Sequence, residues 1–304
     1  MVKAIDKTVI ASDTKLPDSM SWNDECFNLY ADTVEDRFGG KMGHVTSGFK
    51  DMDEKFGCWL HNGHLIIIAG RPAMGKSALA QQISEHVASQ GKAAIFLTLE
   101  MSVHDLVERS ISRHAGVSVQ DLKRLNLTDD QLVRVSSSMN VLSQLPILND
   151  GSSYELSTLV AKVKTAASGM ESAGKPPLGL VVIDHLQIVS SNASSRNLEL
   201  GQITSGLKRL AKELNVPVVA ISQLNRAVEG RNDKRPTLAD LRESGNIEQD
   251  ADLVLFVYRD EYYDENSSSK GVCEITAGKN RHGSTSTVKL SFDGERLMFE
   301  DLKS

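Results

Sequence analysis

The stretch Gly70-Arg71-Pro72-Ala73-Met74-Gly75-Lys76-Ser77 has the spacing G-x-x-x-x-G-K-S. That pattern suits the binding of nucleotide phosphates. Glycines at its ends permit the bends that turn successive backbone N–H groups inward. A helix starting at the loop's end adds the partial positive charge of its N-terminus. Lys76 is placed to reach the β- and γ-phosphates of ATP, and the Ser77 hydroxyl to ligate Mg²⁺. Residues 70–78, with Ala78 as the first apolar helical position, are therefore the expected ATP-binding loop.

Hydrolysis needs more than this loop. It needs a carboxylate near the metal and a group that activates water. Asp184 ends the apolar run Leu180-Val181-Val182-Ile183, so it is expected at a strand tip on the ligand-binding edge of an α/β sheet. Glu100 ends the apolar stretch 93–99 and is placed to polarise an attacking water, or alternatively to cap the helix after it. Gln223 follows Ile221-Ser222 and either reports the state of the γ-phosphate or caps a loop. Lys279 and Arg281 flank Asn280 before Gly283. Two cations there read either as a solvated edge device or as groups aimed at a neighbouring subunit's ATP.

The elements that position these residues are legible from periodicity. The run Leu65-Ile66-Ile67-Ile68-Ala69 predicts a buried strand before the loop. Helices are expected at 76–90, 104–115, 118–122, 128–143, 154–171 and 198–214. Strands are expected at 93–99, 145–148, 178–184, 217–221 and 253–258. A terminal β region covers 272–277, 285–292 and 296–299. Apolar strands alternating with helices imply an α/β fold with a largely parallel central sheet covered on both faces. Residues 1–20 read as a mobile arm. Trp22, Cys26, Leu29, Tyr30, Val34 and Phe38 have helical spacing ahead of Gly39-Gly40. That amphipathic helix, within residues 21–41, packs on its own domain or on a neighbouring subunit.

With 304 residues, 40% hydrophobic and 24% charged, the chain can build one large α/β domain and an appendage. The formal net charge of −6 argues against a broad basic nucleic-acid surface, though not against a local one. Residues 223–236 carry four basic and two acidic side chains, a local excess that includes Arg231, Lys234 and Arg235. Few aromatics accompany them, so the expected grip is on phosphates and insensitive to base sequence. Three widely separated cysteines give no disulfide framework and no thiolate zinc site. No apolar run is long enough to span a bilayer, and a cytoplasmic setting is expected.

Taken together, these stretches resemble the C-terminal motor domain of the DnaB family of replicative helicases, a RecA-like P-loop NTPase fold. The similar segments include Thr46 to Phe49, Gly70 to Ser77, Phe96 to Ser102, Val182 to Gln187, Val218 to Arg226, Asp233 to Pro236, Asp240 to Asp252, Tyr258 to Glu261, and Lys279 to Arg281. The likeness runs from about residue 42 to the end, which defines a motor domain at 42–304. It implies that Lys76 and Ser77 bind phosphate and Mg²⁺, that Glu100 is the catalytic base and that Asp184 supports the metal. Gln223 couples nucleotide state to DNA, and Arg281, helped by Lys279, enters the neighbour's site. Arg242, Glu243 and Gly245 match the central DNA-contacting loop.

The resemblance further implies single-stranded DNA as partner, a homo-oligomeric hexameric ring, and 5′ to 3′ movement. It does not identify a loader or primase. Fewer than fifty residues precede the motor, so the family's N-terminal collar is expected to be missing and the helix at 21–41 to be its linker. His185 stands where the family more often has tyrosine. Two rival readings remain: a RecA-class DNA-binding ATPase that does not unwind, and a non-catalytic regulator that joins a larger helicase ring.

Overall fold

The computed structural model describes residues 45–302 apart from positions 58 and 153, with backbone alone at 242–246. The expected arm and linker helix lie outside the described residues. The strands are β1 (Leu65–Gly70), β2 (Ala93–Thr98), β3 (Ile147–Asp150), β4 (Leu178–Asp184), β5 (Val218–Gln223), β6 (Leu253–Tyr258), β7 (Val272–Asn280), β8 (Thr287–Asp293) and β9 (Met298–Asp301). They form one sheet in the order β3-β2-β4-β5-β1-β6-β7-β8-β9. The first six run parallel. The last three form an antiparallel meander against β6.

The sequence explains this division. β1, β2 and β6 are buried along their whole length, as are β4 and β5 but for one terminal residue each. Continuous apolar runs of that kind suit parallel strands with both faces covered. In β7 and β8 burial alternates, the pattern of strands with one face turned from the core.

The α-helices are α1 (Lys50–Phe56), α2 (Lys76–Ser89), α3 (Val103–Ala115), α4 (Val119–Arg124), α5 (Asp129–Ser143), α6 (Leu156–Ser172), α7 (Arg196–Leu214) and α8 (Gly245–Asp250). From α7, Leu200, Ile203, Leu207 and Leu210 pack with Leu159 and Val163 of α6 on one sheet face, against Leu65, Ile67, Val181 and Ala220. Ile66 and Ile68 point to the other face. There α2 lies along the strands and buries Leu79, Ile83 and Val87.

Two expectations need correction. β3 begins two residues later than the expected 145–148, at Ile147. Its burial is partial and it sits at the sheet edge, so periodicity marks it weakly. The seven-residue helix α1 was not anticipated. It fits between Gly48 and Gly57, both at positive φ, and buries Met52 and Phe56.

One buried ion pair ties α2 to α3. Arg113 Nη2 lies 2.6 Å from Glu85 Oε1, with side chains 3% and 9% exposed. Ser110 Oγ donates to the same oxygen, and His114 Nε2 stands 3.3 Å from Oε2. Burial alone pushes the Glu85 carboxyl up, but Arg113, His114 and Ser110 outweigh it and hold it below the ordinary glutamate value. Arg113→Met strands this carboxylate without its countercharge. The expected loss is about 3–5 kcal/mol of folding stability, read from urea denaturation. Glu85→Leu added to Arg113→Met is expected to recover much of it. An unchanged midpoint in Arg113→Met would show that the pair carries no such weight.

Candidate functional site

β1, β2, β4 and β5 bring four expected site residues to one sheet edge. Gly70 pairs in register with Gln223, and Thr98 with Asp184. The phosphate loop leaves β1 there, and Glu100 lies two residues beyond Thr98. A crevice at the carboxyl ends of parallel strands is where ligands bind in sheets of this kind.

The loop is held from both sides. Arg71 donates from Nε to Glu229 at 2.8 Å and from Nη1 to the Leu224 carbonyl at 2.7 Å. Arg259 donates to the Ala73 carbonyl at 3.2 Å while its guanidinium lies 4.2 Å over the Phe292 ring. Gly75 has φ 97°, and a Cβ there would stand 2.8 Å from Phe299. Ala73 also takes a left-handed conformation, φ 61°. Pro72 and Ala73 form an exposed rim, whereas Met74 and Ala78 anchor the loop in the core.

Lys76 opens α2 and is buried to 7% exposure. Its Nζ donates to the Arg71 carbonyl at 2.9 Å, across the mouth of the loop. Burial pulls its pKa down to about 8, against the opposing pull of Asp184 and Glu100. An ammonium so desolvated gains strongly from a phosphate partner.

Asp184 is 1% exposed, and its Oδ1 is buried with no hydrogen-bond partner. Burial raises its pKa, while a hydrogen bond from Ser77 and the nearby His185 pull it down. A carboxylate oxygen left unpartnered beside a hydroxyl is a hard-oxygen donor set that fits Mg²⁺.

Glu100 has a half-exposed side chain, open to a water approaching the loop. The alternative of a helix cap falls to another residue. Ser102 Oγ accepts from the Asp105 backbone N–H at 3.0 Å and caps α3.

His185 joins residues the sequence reading kept separate. Its Nε2 lies 3.2 Å from Glu100 Oε2 and 2.9 Å from Gln223 Nε2. Gln187 continues the chain, donating to Ser222 Oγ at 3.0 Å and to the Gln223 carbonyl at 3.1 Å. Arg109 of α3 was also missed. Burial lowers its pKa, while the charges of Asp184, Asp105 and, more weakly, Glu100 act against that.

Lys279 and Arg281 are not part of this cluster. Asn280 pairs with Leu253, and Leu253 with Ile66, at the start of β1. The loop begins four residues further on, roughly 13 Å along the strand. Lys279 Nζ donates to the Ala251 carbonyl at 2.7 Å and to that of Glu248. Arg281 donates to the Gln249 carbonyl and stands 3.5 Å from Asp252 Oδ1. Both cations thus cap the carboxyl end of α8, where the helix dipole favours them.

The opposite end of α8 carries the resemblance-derived DNA residues. Arg242 and Glu243 lie on the 3-10 turn Leu238–Ser244, and Gly245 opens α8. One short helix therefore links them to Lys279 and Arg281. The basic loop differs from expectation in one respect: two of its four cations, Arg231 and Arg235, are paired with carboxylates. Arg231 binds Asp240 at 2.8 Å, and Arg235 binds Glu274 at 2.7 Å. Aromatics supplied by a distant segment underlie two of them. Arg235 lies 4.9 Å over Tyr258, and Lys234 lies 4.8 Å over Tyr263. Among the described residues no helix is long and apolar enough to cross a membrane.

Comparison with known proteins shows a family and similar folds. The DnaB-like helicase C terminal domain family matches residues 44–301. The chain is 40% identical over 262 residues to the replicative DNA helicase DnaB of Haemophilus influenzae, covering 85% of this chain and 55% of that protein. It spans about half the length of the curated relatives it matches. The ATPase domain of G40P superposes with a TM-score of 0.83 at 32% identity, covering 91% of this chain and 99% of that one. A DnaB-like replicative helicase, solved to show its interactions with primase, gives 0.81 at 32% identity, covering 94% and 68%.

Proposed function

The chain belongs to the DnaB-like helicase C-terminal domain family, and on that premise we propose that it is an ATP-driven motor that moves on single-stranded DNA and unwinds duplex. The observation that carries this reading is a divided site. Lys76, Ser77, Glu100, Asp184 and Gln223 meet at one end of the parallel strands, whereas Lys279 and Arg281 stand at the other. Such a site is completed when one subunit's Arg281 reaches the next subunit's phosphates. Head-to-tail contacts of this kind close into a ring, here of six subunits by family precedent.

In this reading the backbone N–H groups of residues 73–77 and the Lys76 ammonium hold the β- and γ-phosphates of ATP. Mg²⁺, when bound, neutralises charge on their oxygens. Ser77 and Asp184 hold it. Glu100 accepts a proton from the attacking water, and His185 Nε2 stands within reach of both its carboxylate and Gln223. Gln223 passes the state of the site to residues 224–236, to which Arg71 is also tied through Leu224 and Glu229. Arg242, Glu243 and Gly245 contact DNA, Arg231 and Arg235 exchange their carboxylate partners for its phosphates, and Lys234 adds its charge beside them. Movement is 5′ to 3′, with residues 42–304 as the motor.

The test is ATP turnover with and without single-stranded DNA, on protein whose mass is measured in the same buffer. A ring-sized assembly with DNA-stimulated hydrolysis is expected. A ring that hydrolyses ATP at one rate regardless of DNA would contradict the motor.

A further inference from the structure

A second cluster of chemistry-bearing side chains lies at the far end of β1 from the phosphate loop. His64 immediately precedes β1, Asp252 immediately precedes β6, and His282 follows β7. The rings of His64 and His282 stack with centroids 4.4 Å apart. His61 walls the cluster, its ring 5.0 Å from His64 and 6.4 Å from His282. One ligand atom each from His64, Asp252 and His282 lies within 4.8 Å of the others. Nothing in the proposed ATP chemistry uses His61, His64 or His282.

We propose that His64, His282 and Asp252 form a binding site for a divalent transition-metal ion of the zinc class. Two imidazoles and one carboxylate, with a fourth position left for water, are a donor set that such ions favour. Mg²⁺ and Ca²⁺ prefer oxygen alone. The three residues differ in mobility in a way that suits capture. Asp252 is buried and fixed, His64 is partly buried, and His282 is exposed on the turn before Gly283. Metal–nitrogen bonds of about 2.0–2.1 Å require the ligand atoms to draw closer than they stand. The exposed His282 is the member that closes inward.

The carboxylate sets the consequence. Asp252 Oδ2 is already engaged, accepting from the Leu65 backbone N–H at 2.8 Å and from Lys208 Nζ at 2.6 Å. Oδ1 has Arg281 Nη1 at 3.5 Å. An ion therefore enters at Oδ1, and the metal and Arg281 compete for one oxygen. Lys208 keeps its place and weakens the site without closing it.

The experiment titrates Co²⁺ into the full chain, without nucleotide and with excess Mg²⁺ to fill hard-oxygen sites. Visible absorption reports the coordination. The expected result is one Co²⁺ per chain with the strong band of four-coordinate geometry, reversed by Zn²⁺. His282→Ala, at an exposed turn, is expected to weaken binding roughly tenfold or more while leaving the thermal midpoint unchanged. Arg281→Ala is expected to tighten binding several-fold, because a competing cation has left Asp252. Absence of the band, or equal affinity in His282→Ala and parent, overturns the site. Affinity unmoved by Arg281→Ala overturns the competition. None of these readouts depends on hydrolysis or DNA, so they stand apart from the motor reading.

Discussion

Lys76→Ala is expected to lower ATP turnover by roughly 10²–10³-fold or more while leaving the fold intact. The side chain sits at the mouth of the loop, buried, with its ammonium on the Arg71 carbonyl. A neutral carbonyl replaces only part of the water that a buried cation loses. The phosphate charge that grows during transfer is the partner this site is built to supply, so the interaction strengthens most in the transition state. The loop itself does not need the lysine. It is held by Arg71 on Glu229, by Arg259 on the Ala73 carbonyl, and by the anchoring of Met74 in the core. The thermal midpoint of Lys76→Ala should therefore match the parent. Turnover within a few-fold of the parent would remove the phosphate-binding role.

Arg281→Ala is expected to cost roughly 10³-fold in turnover with nucleotide binding retained. The separation of the two halves of the site makes this prediction specific. Within one chain, Arg281 lies at the wrong end of β1 and β6 to touch its own phosphates. Its guanidinium rests on the Gln249 carbonyl and near Asp252, and its side chain is 44% exposed. It is free to turn outward at modest cost, since its contacts are partly solvated. The same residue ends the helix that begins at Gly245. In the proposed motor, a change in Arg242 or Glu243 on DNA has a six-residue path to the cation proposed to serve the next subunit. If Arg281→Ala lost nucleotide binding along with turnover, the residue would be acting within its own subunit.

The parts of the site that sequence makes legible are those carried by short contiguous motifs. The phosphate loop, Glu100, Asp184 and Gln223 each follow an apolar run, and a strand's end fixes their sheet edge without knowledge of strand order. The contacts that needed the structure depend on which strands are neighbours. His185 reaches both Glu100 and Gln223 because β4 lies between β2 and β5. No spacing in the chain announces that order. Glu85 and Arg113 read as ordinary surface charges on two amphipathic helices, and only the packing of α2 on α3 buries them together. The loop after Gln223 has few aromatics of its own, yet Tyr258 at the end of β6 and Tyr263 just after it arrive beneath its cations. The helix α1 is too short to show a period, and β3 is too exposed to stand out as an apolar run.

The most direct test of the shared site mixes two inactive proteins. Lys76→Ala chains keep Arg281 and lack the phosphate lysine, whereas Arg281→Ala chains keep the lysine and lack the trans cation. Co-assembled at varied ratios, with mixed rings verified by mass, they form some interfaces in which an intact Lys76 faces an intact Arg281. The account predicts that ATP turnover on single-stranded DNA rises above that of either variant alone and peaks at intermediate ratios. Mixed rings with no recovery at any ratio would contradict a site divided between neighbouring subunits.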